Sequence, residues 1–82
     1  MLNRFMNQVL VLIKSDFKEI TGIKASVQDK IYIKDVTIPI ERGDIFEYKL
    51  PSGINRRLHV IKVTPHILGS NLDHYEIEYQ DE

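Results

Sequence analysis

The chain has no cysteine. Disulfides and thiolate-bound zinc are therefore excluded, and disulfide-stapled secreted domains with them. A reducing cytoplasm is the expected compartment. Long apolar runs are also missing. The longest, Val9 to Ile13, is far below the roughly 20 residues of a membrane-spanning helix. A signal peptide is not expected either. Arg4 precedes that stretch, but the stretch is short and no small-residue cleavage site follows it. Net charge is only −1, so no global field advertises a nucleic-acid partner. No Gly-rich phosphate loop and no G-x-S-x-G turn occurs.

What remains is ordinary globular material. Apolar residues make up 43% of the chain and charged residues 28%, enough for one core and one solvated surface. Eighty-two residues (1–82) are expected to form one small domain of marginal stability. The charge is uneven. Residues 73–82 hold Asp73, Glu76, Glu78, Asp81 and Glu82 but no Lys or Arg. The expected explanation is a solvated last strand and tail.

Alternation dominates the rest of the chain. "MLNRFMN" is compatible with one or two helical turns. In "QVLVLIK", Val9, Val11 and Ile13 are β-branched at alternate positions, and Ser15-Asp16 is a turn-type pair. A hairpin is favoured there over one long helix, although Leu2, Met6, Val9, Ile13 and Phe17 would also make a helical stripe. "IKASV" places Ile23, Ala25 and Val27 on one face, and "IYI" opposes Tyr32 to Ile31 and Ile33. Val36, Ile38 and Ile40 share a face, but Pro39 puts that segment at an edge or outside the regular sheet. In "ERGD", Gly43 frees the turn to adopt positive φ. Phe46, Tyr48 and Leu50 line the next strand, and "PSG" turns the chain. "RLHVIKV" is read with His59, Ile61 and Val63 on one face and Leu58 and Val60 on the other, so that Ile61 belongs to the core. "TPHILGSNLD" is read as an irregular loop. "HYEIEYQ" turns Tyr75, Ile77 and Tyr79 inward and Glu76 and Glu78 to water. Short strands separated by turn chemistry predict an all-β domain of about six strands, either a small SH3-like or OB-like barrel or a compact sandwich.

From Ile23 onward the chain resembles a family of uncharacterised bacterial and prophage proteins. The matching residues are Ile23 to Gln28 ("IKASVQ"), Ile38 to Asp44 ("IPIERGD"), Leu50 to Gly53 ("LPSG") and His74-Tyr75. The likeness covers about three quarters of the chain and supports the hairpin reading of "VLVLIKSDFKEI". The family typically carries "GIP" before its "HY", where this chain has Gly69 to Asp73. The resemblance implies a small β module from mobile-element settings in bacteria, and no catalytic residues.

Few residues suggest chemistry. His59, His66 and His74 are spaced by seven and eight, which matches no metal motif. His66 and His74 could still approach across the 64–73 loop, with Asp73 adding an oxygen. Ordinary strand or loop histidines are the simpler explanation, and no metal or cofactor is expected. Ser15, Ser26, Ser52 and Ser70 lie in strand or turn contexts, so no nucleophile is assigned. The letters "RGD" at Arg42 to Asp44 match an integrin ligand, but here the glycine serves a turn. Tyr32 is the aromatic best placed for an exposed stacking platform.

The leading functional expectation is a non-enzymatic protein-interaction module of phage or mobile-element origin that modulates a host bacterial protein. The alternatives are a nucleic-acid-binding barrel, using Arg56, Arg57, Lys49, Lys62 and Tyr48, and a phage head–tail component. Homo-oligomers are compatible with each. The expected partner surface is the tip after the Pro-Ser-Gly turn. It comprises Lys49, Ile54, Arg56 and Arg57, with His66 if the 64–72 loop folds alongside. Arg56→Glu with Arg57→Glu is then expected to abolish binding without changing the melting temperature.

Overall fold

Alternating side chains do build strands here. In the computed structural model, which describes residues 8–69 and 71–82, six strands occur among those residues. They are β1 (Gln8–Ile13), β2 (Glu19–Val27), β3 (Ile31–Ile33), β4 (Ile45–Lys49), β5 (Asn55–His66) and β6 (His74–Asp81). The helical turns expected over residues 1–7 lie outside the described residues. Every pairing is antiparallel, and the order β1-β2-β3-β6-β5-β4 closes because β4 returns to β1. The all-β reading is therefore correct, and of its two forms the barrel is realised rather than the sandwich. Closure leaves few unpaired edges, which matters in a domain this small.

Each strand contributes inward-facing residues to one core. Leu10 and Leu12 come from β1, Ile23 and Ala25 from β2, Ile31 and Ile33 from β3, Phe46 from β4, Leu58 and Val60 from β5, and Ile77 from β6. The turn segment before β4 adds Ile40. The hairpin reading of residues 8–23 holds, since β1 and β2 pair from Gln8↔Ala25 to Ile13↔Glu19.

Two bulges break the period of two. Between Leu10↔Ile23 and Leu12↔Ile20, one residue of β1 faces two of β2. Gly22 sits there with φ of 73°, a conformation that costs glycine little. The bulge lets Ile20 and Ile23, three apart, pack on the same core. The second bulge corrects the sequence reading of β5. Val60 pairs with Tyr79 and Lys62 with Glu78, so Ile61 is an extra residue without an opposite. Leu58 and Val60 face inward before it, and Val63 faces inward after it. Ile61 is not a core residue: it is 45% exposed. Strict alternation fails because the inserted residue inverts the phase of everything beyond it.

The segment "TPHILGSNLD" is also only partly a loop. β5 continues through Thr64, Pro65 and His66, which pair with Glu76, Tyr75 and His74. Beyond His59, β5 is paired with β6 but no longer with β4. Pro65, which lacks an N–H, is tolerated on such a one-sided stretch.

Residues 34–44 cross from β3 to β4 outside the sheet, as Pro39 implied. Tyr75 Oη donates to the carbonyls of Val36 (3.1 Å) and Ile38 (2.8 Å) and so ties this segment to β6. At its end, Gly43 adopts φ of 93°. Asp44 turns inward and is 2% exposed. Its Oδ2 accepts from the Glu41 amide (2.8 Å) and from Lys14 Nζ (2.6 Å). Lys14 Nζ also meets Glu41 Oε1 at 3.0 Å and the Pro39 carbonyl. Burial works to lower the Lys14 pKa, but the Asp44 and Glu41 carboxylates raise it above its ordinary value. The "RGD" letters thus serve a surface turn whose buried aspartate locks β1 to β4 and is not presented to solvent.

Candidate functional site

The Pro-Ser-Gly tip forms as expected. Gly53 has φ of 91°, and the Leu50 amide donates to the Ile54 carbonyl at 2.8 Å. Ile54 and Lys49 are exposed. The two arginines are not free, however. Arg56 is on the inward side of β5, at the barrel mouth. It donates from Nη1 to Tyr48 Oη (2.7 Å), pairs with the Asp81 carboxylate through Nε and Nη2, and lies 5.5 Å from the Tyr48 ring centre. Asp81 raises its pKa further above the usual arginine value. Arg57 points the other way, between Glu47 (3.8 Å) and Glu82 (3.7 Å). His59 Nε2 lies 2.9 Å from the same Glu82 carboxylate. The acidic C-terminal segment is thus more than a solvated tail, because it supplies partners to the basic groups of β5.

His66 does not join this tip. β5 runs unbroken for 12 residues from Asn55 to His66. At roughly 3.3 Å per residue, it extends for up to about 36 Å between its two ends. The 67–73 loop therefore sits at the opposite end of the strand from Arg56, and the five expected partner residues do not form one surface. Reversing the charge at Arg56 would also place a carboxylate against Asp81, so the melting temperature should fall.

At the far end, β5 and β6 bring together groups that are distant in sequence. His66 and His74 are directly opposite in the ladder. Their rings stack 4.7 Å apart at an interplanar angle of 6°. Glu76 lies two residues along β6, on the same face as His74. Its Oε2 is 3.1 Å from His66 Nε2 and 3.3 Å from His74 Nε2. The oxygen joining the histidines is therefore that of Glu76, which the alternation had assigned to water, and not that of Asp73. Asp73 instead accepts the Leu68 amide at 2.6 Å. His74 Nδ1 lies 2.9 Å from the Leu72 carbonyl, which holds its pKa above the ordinary value with further help from Glu76. Glu76 is lowered in turn, chiefly by His74. His66 Nε2 is buried without a hydrogen-bond partner despite its closeness to Glu76. The distance is short, but the direction does not suit a hydrogen bond.

Beside this cluster the loop exposes large apolar side chains. Leu68 is 71% exposed and Leu72 67%, and Ile67 is also exposed. Leu68 and Leu72 form one wall of a groove of about 540 Å³. Tyr32, Gln28 and Ser26 line it from the β2–β3 side, and Lys34, Asn71 and His74 complete it. Tyr32, expected to be exposed, is half-buried and lines the groove wall. The leucines were missed as site residues, although their signal was present: "HILGSNL" carries three large apolar residues among loop formers, and a tight loop cannot turn all of them inward.

No family model, no curated protein and no solved structure matches the chain. The architecture defines a small closed antiparallel β-barrel. Among the described residues no helix is long and apolar enough to cross a membrane.

Proposed function

We propose that the chain is a non-enzymatic protein-interaction module that works in the bacterial cytoplasm. In this reading it takes an apolar segment of a partner protein into the groove between Tyr32 and the Leu68–Leu72 loop. The observation that carries the reading is the exposure of Leu68 and Leu72 on the wall of a concave surface. Contiguous exposed apolar area beside a groove marks protein contact surfaces on soluble domains. The amphipathic Tyr32 suits such a site, because it offers area at low conformational-entropy cost and a hydroxyl for the rim. Lys34 at the edge favours a partner with an acidic flank. The sequence resemblance to bacterial and prophage proteins supports a mobile-element origin, and the lack of cysteine supports the compartment.

Nucleic-acid binding at the tip is less favoured, because Arg56 and Arg57 already lie against Asp81, Glu47 and Glu82. Capture experiments with nuclease-treated bacterial lysate test the proposal. Wild type should retain a defined protein that Leu68→Glu with Leu72→Glu loses, while Arg56→Lys keeps it. Equal retention by the leucine double variant, or loss of the partner on nuclease treatment, would overturn the reading. A concentration-dependent dimer in light scattering that the same substitutions dissolve would instead assign the groove to a second copy.

A further inference from the structure

The histidine pair at the end of β5 and β6 carries an inference that is independent of the groove's occupant. Three Lewis-base groups converge there: one ligand atom each from His66, His74 and Glu76 lies within 4.8 Å of the others, and both Nε2 atoms are close to Glu76 Oε2. Ladder register enforces the convergence. Directly opposite residues of an antiparallel pair hold their Cβ atoms about 5 Å apart, and the residue two along shares their face. We propose that His66, His74 and Glu76 form a binding site for a divalent transition-metal ion of the zinc type, which clips β5 to β6 at the start of the 67–73 loop.

The distances suit such an ion. Zinc holds nitrogen and oxygen ligands at about 2.0–2.1 Å, so the edge between two tetrahedral ligands is about 3.3 Å. The separations from Glu76 Oε2 to the two imidazole nitrogens are 3.1 and 3.3 Å. One ligand atom from each of the three residues lies within 4.8 Å of the others, so the set needs to close by no more than about 1.5 Å to reach that edge. The rings are near parallel, and their in-plane lone pairs do not yet meet. Rotation of His66 about its side-chain torsions supplies the closure. That rotation breaks no hydrogen bond at Nε2, which is buried and unpartnered.

His74 is already held as a ligand would be. Its Nδ1–H donates to the Leu72 carbonyl at 2.9 Å, which orients the ring and leaves Nε2 as the atom available to a metal. Nε2 faces Glu76 Oε2 at 3.3 Å, a position that a proton fills in the free chain and that the metal ion takes in its place. Two imidazoles and one carboxylate favour zinc, copper or nickel over magnesium or calcium, which prefer all-oxygen sets. A fourth position stays open to water or to a partner's side chain. Lys30 opposes the ion, because its Nζ lies 3.7 Å from the other Glu76 oxygen, Oε1.

Calorimetric titration of the full chain with zinc chloride tests the site, with cobalt(II) absorption reporting ligand geometry. Wild type should bind one equivalent, with intense visible bands for the cobalt form. His66→Gln, His74→Gln and Glu76→Gln should each weaken zinc binding at least about tenfold. His59→Gln should leave it unchanged, and Lys30→Met should tighten it. The substituted side chains are half-exposed, and circular dichroism of each variant checks that the barrel persists. Lack of saturable binding by wild type would overturn the proposal. So would wild-type affinity in the His66→Gln, His74→Gln double variant, or a loss of affinity in His59→Gln equal to that in His74→Gln.

Discussion

Removing the Asp44 carboxylate should cost this barrel a large share of its stability. Asp44 is inside the fold, and one oxygen serves two donors, the Glu41 amide and the Lys14 ammonium. Breaking a buried ion pair by deleting one partner costs about 3–5 kcal/mol, because the other charge is left uncompensated. Lys14 keeps Glu41 and the Pro39 carbonyl, so Asp44→Ala belongs near the lower end, about 3 kcal/mol. Asp44→Asn retains an acceptor for the Glu41 amide and should cost only about 1–2 kcal/mol. A domain of 82 residues has a total stability of about 4–12 kcal/mol, so the difference between the two variants should be plain in a urea titration. Lys14→Met alone leaves Asp44 buried without its cation and should resemble Asp44→Ala. Combined with Asp44→Asn it should cost about 1 kcal/mol or more less than the sum of the two single changes, the non-additivity expected of touching groups. Lys14 has a raised pKa. Its contribution is therefore complete below its ordinary value of 10.5 and is lost as pH climbs through the higher folded value. That alkaline decline should be smaller in Asp44→Ala. A cost below 1 kcal/mol for Asp44→Ala, or simple additivity in the double variant, would refute the reasoning.

Two further substitutions probe the bulge and the first turn. Leu58→Ala should cost about 2–5 kcal/mol, whereas Ile61→Ala, on the outward bulge, should cost under about 1 kcal/mol by the same urea titration. Phe17 is 86% exposed and holds φ of 69°, a conformation that disfavours bulky residues by about 1–2 kcal/mol. Phe17→Asn should accordingly raise the melting temperature, and a fall would show that the ring makes contacts worth more than its strain.

Much of the barrel was legible in the sequence because its signals are local. Ser15-Asp16, Gly43 and Pro51-Ser52-Gly53 mark turns by their own backbone preferences, and Ile31, Tyr32 and Ile33 mark faces by alternation. Ile61 was misplaced because a bulge is decided across the ladder, by whether β6 supplies an opposite residue. Nothing within "RLHVIKV" reports that. Thr64 to His66 were read as loop because proline usually ends strands, while the pairing that tolerates Pro65 is one-sided. The site suffered for the same reason. Two adjacent arginines look available until the fold brings Asp81, Glu47 and Glu82 to them. Glu76 looked solvated until the extended β5 carried His66 to its side. The outward side of Tyr32 was legible because it alternates with two inward isoleucines, but the groove that half-buries it was not.

Photo-crosslinking tests the central claim, that the Leu68–Leu72 groove is the partner surface, most directly. A benzophenone amino acid is placed at Leu72, and in a parallel sample at Lys62 on the outer face of β5, in cells that express the chain. The account predicts a discrete protein adduct from position 72, lost when Leu68→Glu is added, and none from position 62. Equal labelling from both positions, or an adduct from position 72 that survives Leu68→Glu, would contradict it.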